Sequence, residues 1–131
     1  MIVPSFTYLS SFQAISATGA TPIACGVLEE TLTIDPEDVI KNINTNTKAI
    51  MPVHYSGGVG QLDRIYKIAR ENNLRIIEDA AHAFGTSYEG QKVGSFGDIA
   101  CFSFDGIKNI TSGEGGCVVS SDEDILNTIR D

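Results

Sequence analysis

The fold class is decided by one stretch, Arg75-Ile76-Ile77-Glu78-Asp79-Ala80-Ala81-His82, in which a short apolar run ends on polar side chains. Similar short runs recur along the chain, and amphipathic segments separate them. This alternation is typical of βαβ units whose strands are covered on both faces. The predicted strands are residues 2–4, 22–25, 49–53, 75–78, 99–103 and 117–120. We therefore expect an α/β fold with three layers (α/β/α) and a mostly parallel sheet.

Helices are predicted between these strands. The clearest start is Asp35, an N-cap residue followed by Pro36 at the first helical position and by acids in the first turn. Another segment places Leu62, Ile65 and Ile68 on one face of a helix. The predicted helices are residues 11–18, 36–42, 61–72 and 121–130, and residues 88–94 form a small hairpin that turns at Glu89-Gly90.

Size and composition indicate one globular domain. The 131 residues are 42% hydrophobic and 20% charged, which excludes a disordered chain. The net charge of −8 argues against a nucleic-acid partner, because no basic stripe is present to neutralise phosphates. No apolar run approaches the roughly 20 residues needed to cross a membrane, and no signal peptide is visible. The expected location is cytoplasmic.

The cysteines indicate neither a disulfide framework nor a metal site. Cys25, Cys101 and Cys117 are odd in number and lack CxxC spacing. Cys101 and Cys117 lie in apolar runs, where a buried free thiol is the usual outcome. Because only His54 and His82 accompany them, no metal site is predicted.

Polar residues that follow the predicted strands are the first candidates for a functional site, because ligands gather at the carboxyl ends of parallel strands. They are His54 with Tyr55, Asp79 with His82, and Ser103 with Lys108. Asp79 and His82 each have a structural interpretation as well as a functional one. Asp79 is also a plausible helix N-cap before Ala80-Ala81, and His82 a plausible half-buried, hydrogen-bonded histidine.

Lys108 lies just past an apolar strand in a polar, glycine-rich segment that ends in Gly113-Glu114-Gly115-Gly116. An amine becomes a nucleophile toward carbonyls when its surroundings lower its pKa, although a solvated loop lysine is the ordinary alternative. Pyridoxal phosphate requires a lysine for its Schiff base and an acidic partner for its ring nitrogen. Lys108 and Asp79, at the ends of successive strands, match this demand.

The same segments resemble the DegT/StrS-type sugar aminotransferases, pyridoxal phosphate enzymes of the aspartate aminotransferase fold (type I). The resemblance extends over essentially the whole chain and in the family's order. The matching segments are residues 3–7, 47–54, 79–82, 98–100, 103–104, 108–109 and 113–116. It implies that residues 1–131 form part of the PLP-binding large domain, without the family's N-terminal segment and small C-terminal domain. The chain's ends, which look cut, suggest a piece of a longer protein.

The resemblance also implies roles for individual residues. Lys108 is expected to be the Schiff-base lysine and general base, and Asp79 to pair with the pyridinium nitrogen. His82 is expected near the ring, Ser103 on the cofactor phosphate, and His54 in the substrate pocket. At Asp105 many family members carry His, Asn or Tyr, which we interpret as variation between substrate subgroups.

The implied reaction transfers an amino group, from glutamate as the expected donor, to a keto carbon of a nucleotide-linked sugar. The family's sites form at homodimer interfaces, so a homodimer is expected for a full-length member. Two alternatives stay open: a catalytically incomplete fragment that keeps the fold, and a Rossmann-like nucleotide binder. The second lacks a G-x-G-x-x-G sequence after the first strand.

Overall fold

The computed structural model describes residues 1–96 and 98–130. In this part of the chain, β-strands alternate with α-helices, as the sequence predicts, and two short strands form the hairpin. The elements are β1 (Ile2–Pro4), α1 (Leu9–Ala17), β2 (Ile23–Cys25), α2 (Pro36–Asn42), β3 (Ala49–Ile50), α3 (Leu62–Glu71), β4 (Arg75–Asp79), β5 (Ser87–Tyr88), β6 (Gln91–Lys92), β7 (Ile99–Ser103), β8 (Gly116–Ser120) and α4 (Glu123–Arg130).

A six-stranded sheet forms the middle layer, in the order β2-β1-β3-β4-β7-β8. Neighbouring strands are parallel except for β7 and β8, which pair antiparallel along their whole length. This arrangement agrees with the predicted three-layer α/β fold and its mostly parallel sheet. Because β4 and β7 are adjacent and parallel, the segments that follow them emerge at the same edge of the sheet.

Apolar side chains cover both faces of the sheet. On one face, Ile50 and Ile76 pack with Val39 of α2 and Ile65 of α3 in the largest buried cluster. On the other face, Val3 and Met51 pack with Ile15 of α1. Successive residues of a strand point to opposite faces, so Ile76 and Glu78 face α3 while Ile77 and Asp79 face α1.

Several element boundaries differ from the prediction by one to three residues, and two of the differences, in β3 and α1, lie next to the candidate site. The strand predicted at residues 49–53 ends at Ile50, since Pro52 has no N–H to donate to a neighbour. Pairing resumes at Val53, which bridges Asp79. Helix α1 begins at Leu9 instead of residue 11, with Tyr8 in extended conformation as its N-cap, and the Ser11 backbone N–H donates to the Tyr8 carbonyl at 3.1 Å.

At the amino ends of the strands, a charged cluster joins three elements. Arg75 at the start of β4 forms ion pairs with Asp98, at 2.6 Å, and with Asp122, at 3.3 Å. Asp98 also accepts the backbone N–H of Ile76, and Asp122 accepts the N–H groups of Asp124 and Ile125 at the start of α4. We call Arg75, Asp98 and Asp122 the amino-end clamp.

The cysteines are free, and only Cys25 is buried. Its burial raises the pKa of the thiol to about 12, with Asp38 adding to the shift, so the thiol stays protonated. Cys101 and Cys117 are half-buried, against the expectation that their apolar runs would bury them. Both lie in the last two strands of the sheet order, where α4 gives only partial cover.

Candidate active site

A cavity of about 370 Å³ lies at the carboxyl ends of the central strands. This volume lies within the range of small-molecule sites. We call it the strand-end cavity. Its lining comes from the segment after β1, the segment after β3, the end of β4 and the loop after β7: Phe6, Thr7, Tyr8, Ser10, Val53, His54, Tyr55, Asp79, Ala81, His82, Asp105, Ile107 and Lys108.

Asp79 ends β4 and is half-buried in the cavity wall. Its Oδ2 accepts a hydrogen bond from Ser11 Oγ at 2.7 Å, and its Oδ1 accepts one from the Ala81 N–H at 3.2 Å. Residues 80–82 form a turn and not a helix, so the alternative of Asp79 as a helix N-cap is wrong. Each carboxylate oxygen therefore has one protein partner and retains a further lone pair toward a ligand.

Lys108 follows β7 in a compact loop. The backbone N–H of Lys108 donates to the Asp105 carbonyl at 3.0 Å, and Asp105 forms an isolated β-bridge with Gly113. Gly113, with φ of +87°, adopts a backbone conformation that side chains disfavour, which accounts for glycine there. Among the described residues, no carboxylate lies within ion-pair distance of the Lys108 amine. The amine is therefore available to a ligand in the cavity.

His82 also lines the cavity, but its side chain is exposed and not half-buried as the structural alternative proposed. Its Nδ1 accepts a hydrogen bond from the Ser56 N–H at 3.3 Å. The ring of Tyr55 lies edge-on to it, with 6.2 Å between centroids. If His82 is neutral, this contact places the ring proton on Nε2, because Nδ1 acts as the acceptor.

His54 lines the cavity from a buried position, with 1% exposure. Its Nε2 lies 2.6 Å from Glu78 Oε2, and Tyr66 donates its hydroxyl to Glu78 Oε1 at 2.8 Å. Burial and the neighbouring Glu78 carboxylate raise the pKa of Tyr66, so it remains a neutral donor. His54 Nδ1 is buried and has no partner among the described residues. We call buried His54 and Glu78, together with half-buried Tyr66, the buried triad.

Ser103 ends β7 and is half-buried. Its Oγ accepts the Asp105 N–H at 3.4 Å, and it is not among the described residues that line the cavity. The structure thus brings Asp79, His82, His54 and Lys108 to one cavity, with Ser103 beside the loop that carries Lys108. Their individual roles stay predictions.

Phe6, Ser11 and Glu78 belong to the site but were not singled out from the sequence, whereas Tyr55 was. Phe6 and Tyr55 stack edge-on in the cavity wall, with 4.8 Å between ring centroids. Ser11 contacts Asp79 from 68 positions away, and Glu78 holds His54 from 24 positions away. The resemblance covers residues 3–7 but assigned them no role. Nothing in the sequence indicates that Ser11 approaches Asp79, since this contact depends on the packing of α1 across β4.

Residues 1–96 and 98–130 offer neither a metal centre nor a membrane-spanning helix. No group of three or more His, Cys, Asp or Glu side chains there is arranged to hold a metal ion. No helix in the same part of the chain has the length and apolar character needed to cross a membrane.

Several proteins and solved structures are similar to the chain throughout. GDP-perosamine synthase of Escherichia coli O157:H7 is 47% identical over 127 residues, which are 97% of this chain and 35% of that protein. The structure of S. venezuelae DesV in complex with a ketimine intermediate matches with a TM-score of 0.95 and 40% identity, over 98% of this chain and 35% of that one. The PLP form of the candidate sugar aminotransferase Spr1654 from Streptococcus pneumoniae matches with a TM-score of 0.92 and 31% identity, over 98% and 38% of the two chains.

The chain thus spans about a third of the length of these relatives. The solved structures share its sheet and helices, which agrees with the type I aminotransferase fold that the resemblance implied. The family model for the DegT/DnrJ/EryC1/StrS aminotransferases matches residues 1–131. On this evidence, the chain belongs to the DegT/DnrJ/EryC1/StrS aminotransferase family.

Proposed function

We propose that this chain is the cofactor-binding core of a pyridoxal phosphate-dependent aminotransferase. The parent reaction would move an amino group from glutamate to a keto carbon of a nucleotide-linked sugar. The observation that carries the proposal is that Asp79 and Lys108, a carboxylate and an unpaired amine, line the same cavity. The names of the relatives support a nucleotide sugar as the substrate class.

The residues present fit this cofactor. Asp79 retains acceptor capacity for a ring N–H, and Lys108 has no competing ion pair within the described part of the chain. Phe6 and Tyr55 supply aromatic surface beside them, which suits a planar ring. When bound, the cofactor withdraws electrons from the substrate carbon.

Each of these residues would then act at a defined atom. Asp79 would hold the proton on the ring nitrogen through its carboxylate. Lys108 would bind the cofactor through Nζ, and the same Nζ would move a proton at the substrate carbon. The expectations for Ser103 at the phosphate, His82 near the ring and His54 in the substrate pocket belong to this proposal. Ile107 and Tyr8, which line the mouth of the cavity, would limit the access of water.

The test is covalent capture of the cofactor. We expect the chain mixed with pyridoxal phosphate to develop an absorbance band above about 400 nm, which borohydride fixes onto Lys108. Peptide mass spectrometry identifies the modified residue. Lys108→Ala should abolish the band, whereas Lys48→Ala, a variant of an exposed lysine on the surface, should retain it.

A second candidate function is a catalytically incomplete fragment, and the observation that favours it is that the chain spans 35% of its relatives' length. The absorbance band decides between the two, and circular dichroism shows whether the chain that lacks it is folded. A folded chain with no band, or with borohydride label spread over several lysines, would support the incomplete fragment and contradict the proposed cofactor site.

A further inference from the structure

We propose that Ser11 is a positioning residue that fixes the orientation of the Asp79 carboxylate. The inference rests on the proposed function, since it assigns Ser11 a part in holding the cofactor's ring nitrogen. Ser11 lies in the first half of α1, is 3% exposed, and donates from Oγ to Asp79 Oδ2 at 2.7 Å. It is a buried polar side chain directed at the candidate site from another element of the fold.

The direction of the hydrogen bonds follows from the chemistry of the groups. An ionised carboxylate only accepts, so the single Ser11 hydroxyl proton points to Asp79. Thr7 Oγ1 lies 2.8 Å from Ser11 Oγ, and with the Ser11 proton already committed, Thr7 must be the donor in that contact. The result is a series of hydrogen bonds donated in one direction, from Thr7 to Ser11 and from Ser11 to the Asp79 carboxylate.

These hydrogen bonds constrain rotation of the Asp79 carboxylate. Ser11 holds Oδ2 and the Ala81 N–H holds Oδ1, so both oxygens are tied to the protein on defined sides. A hydrogen bond to a charged acceptor is stronger than a neutral one. The remaining lone pairs are then presented to the strand-end cavity in one orientation. Without Ser11, the carboxylate has one protein anchor and can turn away from the ring nitrogen.

The experiment uses the chain loaded with pyridoxal phosphate that carries ¹⁵N in its pyridine ring. Two quantities are measured: the cofactor Kd by absorbance titration, and the ¹⁵N chemical shift, which reports whether the ring nitrogen is protonated. For Ser11→Ala we expect a Kd about tenfold weaker, as for loss of one hydrogen bond to a charged group. We also expect a ¹⁵N shift displaced toward that of Asp79→Asn.

Matched variants separate positioning from general damage. Ser11→Thr keeps the hydroxyl and should restore the ¹⁵N shift. Thr7→Val removes only the outer donor and should change Kd less than Ser11→Ala does. Ser16→Ala, an exposed serine on the same helix, should match wild type in both measurements.

The outcomes distinguish this inference from the proposed function. If wild-type chain fails to form the Lys108 adduct, the proposed function fails. If wild type binds but Ser11→Ala keeps the wild-type ¹⁵N shift and Kd, the positioning role is wrong while the cofactor site stands. If Thr7→Val weakens cofactor Kd more than Ser11→Ala does, the proposed direction of the hydrogen bonds from Thr7 through Ser11 to Asp79 is contradicted. If Ser11→Thr does not fold, the comparison of Ser11→Ala with Thr7→Val and Ser16→Ala decides.

Discussion

Glu78 and Asp79 are adjacent carboxylates in one strand, yet they have opposite surroundings. Glu78 is 1% exposed and directs one oxygen to buried His54 and the other to half-buried Tyr66. Asp79 points to the other face of the sheet, where it reaches the strand-end cavity and keeps lone pairs free. The difference teaches that a single step along a strand separates a carboxylate committed to the fold from one available to a ligand.

Removing the buried Glu78 carboxylate is expected to have the largest effect on stability. Glu78→Ala should lower the free energy of unfolding by about 3–5 kcal/mol, because it leaves buried His54, and the hydroxyl of half-buried Tyr66, without their partner. Urea denaturation followed by circular dichroism measures the change. Glu71→Ala, which removes an exposed glutamate from α3, serves as control and should change stability by less than about 0.5 kcal/mol. A loss below about 1 kcal/mol in Glu78→Ala would refute the structural role of the triad.

Removing only the outer member of the triad should have a smaller effect. Tyr66→Phe deletes the donor to Glu78 Oε1 but keeps the ring, and should destabilise the chain by about 1–3 kcal/mol. The same denaturation experiment applies, with Tyr8→Phe, a variant of an 80% exposed tyrosine, as the reference. Equal stability of the two variants would show that the Tyr66 hydroxyl is dispensable.

Alkaline pH tests the contribution of Tyr66, which lies on the same face of the sheet as Glu78. Because the pKa of Tyr66 is raised in the folded chain, its contribution is complete below about pH 10, where an unfolded tyrosine keeps its proton. Above that pH the unfolded chain loses protons that the folded chain retains, so stability falls. Tyr66→Phe should show a shallower fall in unfolding free energy than wild type. The pKa of Tyr88 is also raised, to about 12, but Tyr88 contributes equally to the pH dependence of wild type and of Tyr66→Phe. Parallel curves would contradict the prediction.

The smallest effect on stability is expected on the cavity side. Asp79→Asn should change the free energy of unfolding by less than about 1 kcal/mol, because an amide still hydrogen-bonds Ser11 and water replaces the rest. Under the proposed function, cofactor binding should nevertheless weaken, and the same change in a full-length family member should abolish transamination, since an amide does not stabilise a pyridinium. Wild-type turnover by Asp79→Asn would remove Asp79 from its proposed role.

The same comparison shows what sequence patterns reveal and what they leave out. The order of strands and helices was predictable, because apolar runs, the Asp35-Pro36 start and the Glu89-Gly90 turn are local signals. Asp79 and Lys108 were also predictable as neighbours, because parallel strands deliver their following residues to one edge. The contact of Ser11 with Asp79 and the burial of Glu78 depend on packing across the sheet. The antiparallel course of β8 equally has no signature in its own residues.

The amino-end clamp lies at the edge of the sheet opposite the cavity. Arg75, Asp98 and Asp122 join the starts of β4 and α4 to the segment before β7, and none of them lines the cavity. This separation is useful for protein engineering. A combinatorial library that randomises Phe6, Tyr8, Tyr55 and Ile107 leaves the clamp and the buried triad untouched. Changes of ligand preference at the cavity can therefore be selected without disturbing the contacts that hold the strands in register.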